Sequence, residues 1–140
     1  MNRIGRVAAI ALVVVAGCGS SNASSTCASP EGLYVYHVTD SQSVDPTDCP
    51  IPADFEEVLP DTSANPCTIT GLSNGSCSAS VQEQCNVVIN GYAGSEDAIV
   101  TVDSSTDGTV ITGHVAETIS YGQDGSCNSS WDFTLTRTHQ

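Results

Sequence analysis

Ser130-Trp131-Asp132-Phe133-Thr134-Leu135-Thr136-Arg137-Thr138 alternates large apolar residues with polar ones. Successive side chains of a β-strand point to opposite faces. The segment therefore reads as a strand that buries Trp131, Phe133 and Leu135 and leaves Asp132, Thr134 and Thr136 in water. On a helix the same three apolar groups would be spread around the circumference.

The rest of the chain can be set against that face. Upstream, Thr109–Tyr121 carries Ile111, Val115 and Ile119 on one side, with Gly113 and Glu117 among them. The link Gly122–Ser129 is too short for a parallel crossover, so the two segments form an antiparallel pair. Matching their apolar faces puts Glu117 on the same side as Trp131 and Arg137. Ala98–Asp103 and Cys85–Ala93 extend the meander, through turns at Ser104–Gly108 and Gly94-Ser95-Glu96. Cys67–Leu72 and Ser76–Gln82 read as a hairpin across Ser73-Asn74-Gly75, since Asn-Gly favours a tight turn. Leu33–Thr39 is rich in aromatic and β-branched residues and reads as a further strand. Asp40–Pro52 and Pro60–Pro66 read as loops. Pro52–Leu59 suits a short helix, with Pro52 near its start, Glu56-Glu57 early and Phe55, Val58 and Leu59 on its buried side. The expected fold class is mainly β, a small antiparallel meander barrel or a two-layer sandwich, stapled by disulfides.

Composition narrows the function. The chain has 140 residues, 16 acids and three Lys or Arg. Two of the three bases, Arg3 and Arg6, lie ahead of a continuous apolar run, Val7–Ala16. The run is too short to span a bilayer, which takes roughly 20 residues. A positive start, a short apolar stretch and small residues before a cut site are the pattern of an export signal. The remainder holds every acid and a single base, Arg137. Nucleic-acid binding needs clustered Lys and Arg to displace phosphate counterions, so no nucleic-acid partner is expected. Direct docking to anionic lipid by charge is not expected either, because the polybasic signal is missing.

Val15-Ala16-Gly17-Cys18 resembles the lipobox of bacterial lipoproteins, an aliphatic residue and two small ones before an essential cysteine. The resemblance covers the first 20 residues or so and implies that Cys18 carries a diacylglycerol on its sulfur. The signal is then removed before Cys18, and the new amine can be acylated too. Two or three chains of the palmitate type anchor firmly where one is marginal. Residues 1–17 are then the signal and 18–26 the lipidated cysteine with a flexible Ser/Asn tether. Residues 27–140 are the folded domain. The Gly19-Ser20 that follows lacks the Asp resembling an inner-membrane retention signal. The expected place is the outer membrane, on its periplasmic side or the cell surface.

Seven cysteines are an odd number. Assigning Cys18 to lipid leaves Cys27, Cys49, Cys67, Cys77, Cys85 and Cys127, an even set that reads as three disulfides in an exported domain. The spacings match no zinc pattern, which favours close pairs. Fifteen pairings are possible. Neighbours in sequence, such as Cys27–Cys49, are the expected choice. A core with one Trp, four Tyr and two Phe needs such staples.

Candidate chemistry is sparse. His37 and His114 fall in strands and His139 next to the C-terminus, without a nucleophile elbow or zinc-protease motif beside them. No catalytic residue, metal ligand or cofactor is assigned. Asp40, Asp45 and Asp48 in one loop, and Asp103 and Asp107 around another, offer oxygen ligands of the kind calcium takes. Glu117, Arg137 and Trp131 form either a structural ion pair beside an aromatic core or the polar anchor of a ligand cavity lined also by Tyr34, Tyr36 and Tyr121. The expected role is a non-enzymatic structural or interaction module with an unidentified protein partner. The alternatives are a small-ligand carrier and a calcium-dependent surface module.

Overall fold

The computed structural model describes residues 27–43, 51–59, 67–89, 91–123 and 125–140. Seven strands form a single sheet: β1 Gly32–Ser43, β2 Phe55–Leu59, β3 Thr68–Asn74, β4 Ser78–Ile89, β5 Tyr92–Ser104, β6 Val110–Tyr121 and β7 Gly125–His139. Their order is β2-β1-β7-β6-β5-β4-β3, every pair is antiparallel, and the sheet forms a half-barrel. Strands β3 to β7 are a plain meander. The β1–β2 hairpin adds on beyond β7, so the first strand of the fold lies against the last.

The alternation read in the last strand runs the full length of β7 and is repeated in β5 and β6. One face of the sheet holds the core, built on Tyr34, Tyr36, Val81, Val100, Ile111, Val115, Trp131, Phe133 and Leu135. Tyr36 lies between Phe55 and Phe133, with ring centroids 4.5 and 4.9 Å away and planes 17° apart in both pairs. The Trp131 indole N–H donates to the Tyr36 hydroxyl at 2.8 Å. Gly113 sits directly across from Phe133. A Cβ there would collide with the Phe133 ring and the Thr101 carbonyl, so the glycine provides the room that the ring occupies.

Several boundaries differ from the sequence reading. Pro52–Leu59 contains strand β2, not a helix. Pairing with β1 satisfies its backbone and alternates Phe55, Glu57 and Leu59 inward, leaving Val58 63% exposed. Tertiary pairing overrides the weak helical preference of five residues. Ser76–Gln82 and Cys85–Ala93 are largely one strand, β4. The turn expected at Gly94–Glu96 lies inside β5, and the reversal falls between Ile89 and Tyr92, which pair with each other. Gly91, in that reversal, takes φ +84°, a conformation that glycine adopts without steric cost. β1 continues past Thr39 to Ser43 through a register shift, where Asp40 adopts φ +45°. Such a bulge accommodates one left-handed residue without ending the strand.

Cys27 pairs with Cys77 and Cys67 with Cys85, at Cα separations of 5.6 and 4.4 Å. Cys127 is disulfide-bonded as well. Cys18 and Cys49 lie outside the described residues. The expected Cys27–Cys49 pairing is thus replaced by a longer link. The lead-in to β1 runs beside the β5–β6 turn, where Ala28 N–H donates to Thr106 O at 2.9 Å, and Ser104 N–H in turn donates to Cys77 O at 2.7 Å. Cys27 therefore arrives next to Cys77.

Candidate functional site

The buried face of the sheet is not wholly apolar. In β4 the inward series is Ala79, Val81, Glu83, Cys85 and Val87, and in β5 it is Glu96, Ala98, Val100 and Val102. Register lines these up across the sheet. Glu83, Ala98, Glu117 and Ser129 make one cross-strand row, and Cys85, Glu96, Ile119 and Cys127 make the next. Glu83, Glu96 and Glu117 keep only 1, 6 and 7% of their surface, and Ser129 keeps 5%. Neighbouring strands are about 4.8 Å apart. Glu83 and Glu117 are therefore the cross-strand neighbours of Ala98, and Glu96 lies in the adjacent row. The Ser129 hydroxyl is buried with no hydrogen-bond partner. A carboxylate oxygen of Glu83 lies within 4.8 Å of both Cys67 Sγ and Cys85 Sγ. Those sulfurs are joined to each other, so they are not thiolate ligands.

Glu117, Trp131 and Arg137 share a face as expected, but Glu117 and Arg137 are not a pair. Glu117 lies opposite Ser129, and Trp131 lies one row away opposite Val115. Arg137 is at the other end of β7, opposite Tyr34, and its guanidinium reaches Glu31 O at 3.5 Å. The strand rise separates it from the Glu117 row by roughly 25 Å. The cause is register: β7 begins at Gly125, so Glu117 meets the start of the strand and not its end. Trp131, Tyr34 and Tyr36 are fully packed core residues. Burial raises the phenol pKa of Tyr36 against the opposing effect of its bond with Trp131, and burial raises that of Tyr34 as well. The Tyr34 hydroxyl donates to Gly108 O at 2.5 Å. Tyr121 is half-buried beside the second apolar cluster, around Ile119 and Cys127.

The outward face carries both strand histidines, each against an aspartate. His37 Nδ1 is 2.5 Å from Asp54 and His114 Nδ1 is 2.6 Å from Asp132, all four side chains about half exposed. The Val38 backbone N–H and the His37 ring hold the Asp54 carboxyl below its usual pKa. His139 is exposed at the end of β7. A shallow groove of about 550 Å³ on this face is lined by Asp97, Ile99, Ala116, Thr118, Asn128 and Ser130 among others. Its polar groups already bond to neighbours: the Gln82 and Gln84 amides donate to Asp97, and Thr118 Oγ1 donates to Asn128. Asp40 and Asp103 are exposed, while Asp45 and Asp48 lie outside the described residues. Asp107 is engaged in its own turn, where one oxygen accepts from Ser105 Oγ, Thr109 N–H and Thr109 Oγ1.

No protein-family model, curated protein or solved structure matches this chain. The buried acids are therefore known only through the chain's own geometry. Sequence reasoning passed over three of the four residues in this patch. Glu83 fell in the supposed break between two strands, and Glu96 and Ser129 fell in supposed turns. A signal was present: Glu83 continues the Ala79-Val81-x-Cys85-Val87 alternation, and Glu96 begins the one through Ala98, Val100 and Val102.

Proposed function

We propose that this protein is an exported lipoprotein, anchored in the bacterial outer envelope through Cys18, whose folded domain serves as a non-enzymatic structural or interaction module. The observation that carries the reading is the state of the cysteines. Every cysteine among the described residues, Cys27, Cys67, Cys77, Cys85 and Cys127, is disulfide-bonded. Disulfides persist in oxidising compartments outside the cytosol, and a lipobox leader delivers a chain there. The tether from Gly19 to Thr26 would hold the domain roughly 16 Å from the anchor.

A module that works by contact is supported by what faces solvent. Val88 and Tyr92, 55 and 62% exposed, flank the β4–β5 hairpin tip, and Ile99 is 45% exposed on the outer face. Large apolar groups displayed on a rigid hairpin suit a protein partner. The carrier alternative is weakened because Trp131, Tyr34 and Tyr36 are committed to one another and to the backbone. Fractionation of the native host tests the anchor: wild-type protein should sediment with membranes and Cys18→Ser should appear in the soluble exported fraction. Membrane retention of Cys18→Ser would overturn the reading. Cross-linking tests the module, because Val88→Ser with Tyr92→Ser should abolish partner adducts seen with the wild type.

A further inference from the structure

We infer that edge strand β3 is a self-association surface: two copies of this chain join by pairing their β3 strands antiparallel, which continues the sheet across a two-fold axis. The inference goes beyond the module reading and does not depend on the lipid anchor. β3 ends the sheet, and among the described residues no strand pairs with its outer edge. An open edge is a template for another strand, and natural proteins protect such edges with charge, proline or brevity. β2, the opposite edge, is protected in this way. It has five residues, carries Glu56 and Glu57, and is flanked in sequence by Pro52 and Pro60. β3 has seven residues, Thr68-Ile69-Thr70-Gly71-Leu72-Ser73-Asn74, with neither charge nor proline among them. Thr68, Thr70 and Leu72 are exposed, Leu72 by 51%.

Charge selects the partner. From Thr62 to Gln82 there is no Asp, Glu, Lys or Arg, the longest such stretch from Cys27 onward in a domain of 16 acids and one base. Thr68 and Thr70 pair with Gln84 and Gln82, which are neutral as well, and Glu83 between them is buried. Asp97 stands one strand further in, where the Gln82 and Gln84 amides donate to it. A basic partner would be drawn to acids, which this edge lacks. A partner as acidic as this chain needs a seam where like charges do not meet, and it must bring an uncharged strand edge of its own. A second copy meets both conditions. Pairing about a two-fold axis covers both β3 edges, so the assembly closes at two chains. The Cys67–Cys85 bond ties the start of β3 to β4, so the edge is already ordered and association loses less entropy. The bulge between Gly71 and Ser73 interrupts the ladder and leaves Leu72 as the extra residue. It confines the seam to Thr68–Leu72, which makes the dimer reversible.

The test is sedimentation equilibrium on the disulfide-intact chain carrying Cys18→Ser, which keeps lipid from imposing association, together with hydrogen exchange across a protein dilution series. A monomer–dimer equilibrium is expected, with β3 amides exchanging more slowly as concentration rises and β2 amides unchanged. Raising the ionic strength should tighten the dimer, because salt screens the repulsion of two acidic bodies. Thr70→Glu and Leu72→Glu place like charges in the seam, and each should weaken the dimer roughly tenfold. Trp131 emission reports whether each variant folds; should one not, the other decides. Val88→Ser with Tyr92→Ser alters the β4–β5 hairpin tip and should leave the dimer intact, which separates this surface from the one in the module reading. A chain that stays monomeric at millimolar concentration would overturn the inference. So would a dimer that persists in the folded Glu variants, that dissociates as salt rises, or that leaves β3 exchange unchanged. Open-ended growth beyond two chains would point instead to β3 pairing with β2. Protection of β3 only on adding envelope extract to a monomeric chain would assign the edge to a foreign strand, against the second copy.

Discussion

Asp107 holds the β5–β6 turn through a single oxygen that accepts three hydrogen bonds. The Thr109 backbone N–H, followed by the Ser105 and Thr109 hydroxyls, pulls its pKa down to about 2 from the ordinary 3.8. A carboxylate depressed in the folded state stabilises it fully above its unfolded pKa, and that contribution fades as pH falls through the folded value. The melting-temperature gap between wild type and Asp107→Ala should therefore be constant above pH 5 and shrink steadily from pH 4 to pH 2. A gap that does not change with pH would deny Asp107 this role. In the core, Tyr36→Phe leaves the buried Trp131 N–H without its acceptor. Urea unfolding should show a loss of about 1–3 kcal/mol, the typical cost of an unsatisfied buried donor. Gly113→Ala drives a methyl into the Phe133 ring and the Thr101 carbonyl. Overpacking of this kind costs about 1–3 kcal/mol. The double variant Gly113→Ala with Phe133→Leu should recover part of the steric component.

At the scale of elements, the sheet was legible wherever strict alternation met unambiguous turns. The β6–β7 pair was read from apolar spacing, and its shared face holds Ile111, Val115, Trp131 and Leu135 as expected. The misreadings have a common cause. Glu83, Glu96 and Ser129 look like breaks when polarity is taken to mean exposure, yet they sit on buried positions of continuous strands. Read that way, they split β4 from itself and displaced the β4–β5 reversal from the Ile89–Tyr92 link to Gly94–Glu96. β2 was misread because five residues carry too little pattern; its strand state depends on β1, which lies elsewhere in the sequence. The disulfides act on this scale as well. Cys27–Cys77 spans 50 residues and Cys67–Cys85 spans 18. Chain-entropy arguments give the first about 4 kcal/mol and the second about 3. Replacing each pair by alanine should make Cys27→Ala/Cys77→Ala the less stable variant by about 1 kcal/mol in urea unfolding. The reverse order would show that strapping edge strand β3 to β4 matters more than the length of chain closed.

For the whole molecule, the account rests on how seven cysteines are shared out. Two bridges are fixed as Cys27–Cys77 and Cys67–Cys85, and Cys127 is bonded too. If Cys18 carries lipid, Cys49 is the only cysteine left for Cys127. The most direct test is mass spectrometry on protein taken from the membranes of its native host, combining the intact N-terminus with disulfide mapping. The account predicts a chain that begins at Cys18, bears a thioether-linked diacylglycerol, and joins Cys49 to Cys127 with no free thiol. A chain that still begins at Met1, or a bond between Cys18 and Cys127, would contradict it.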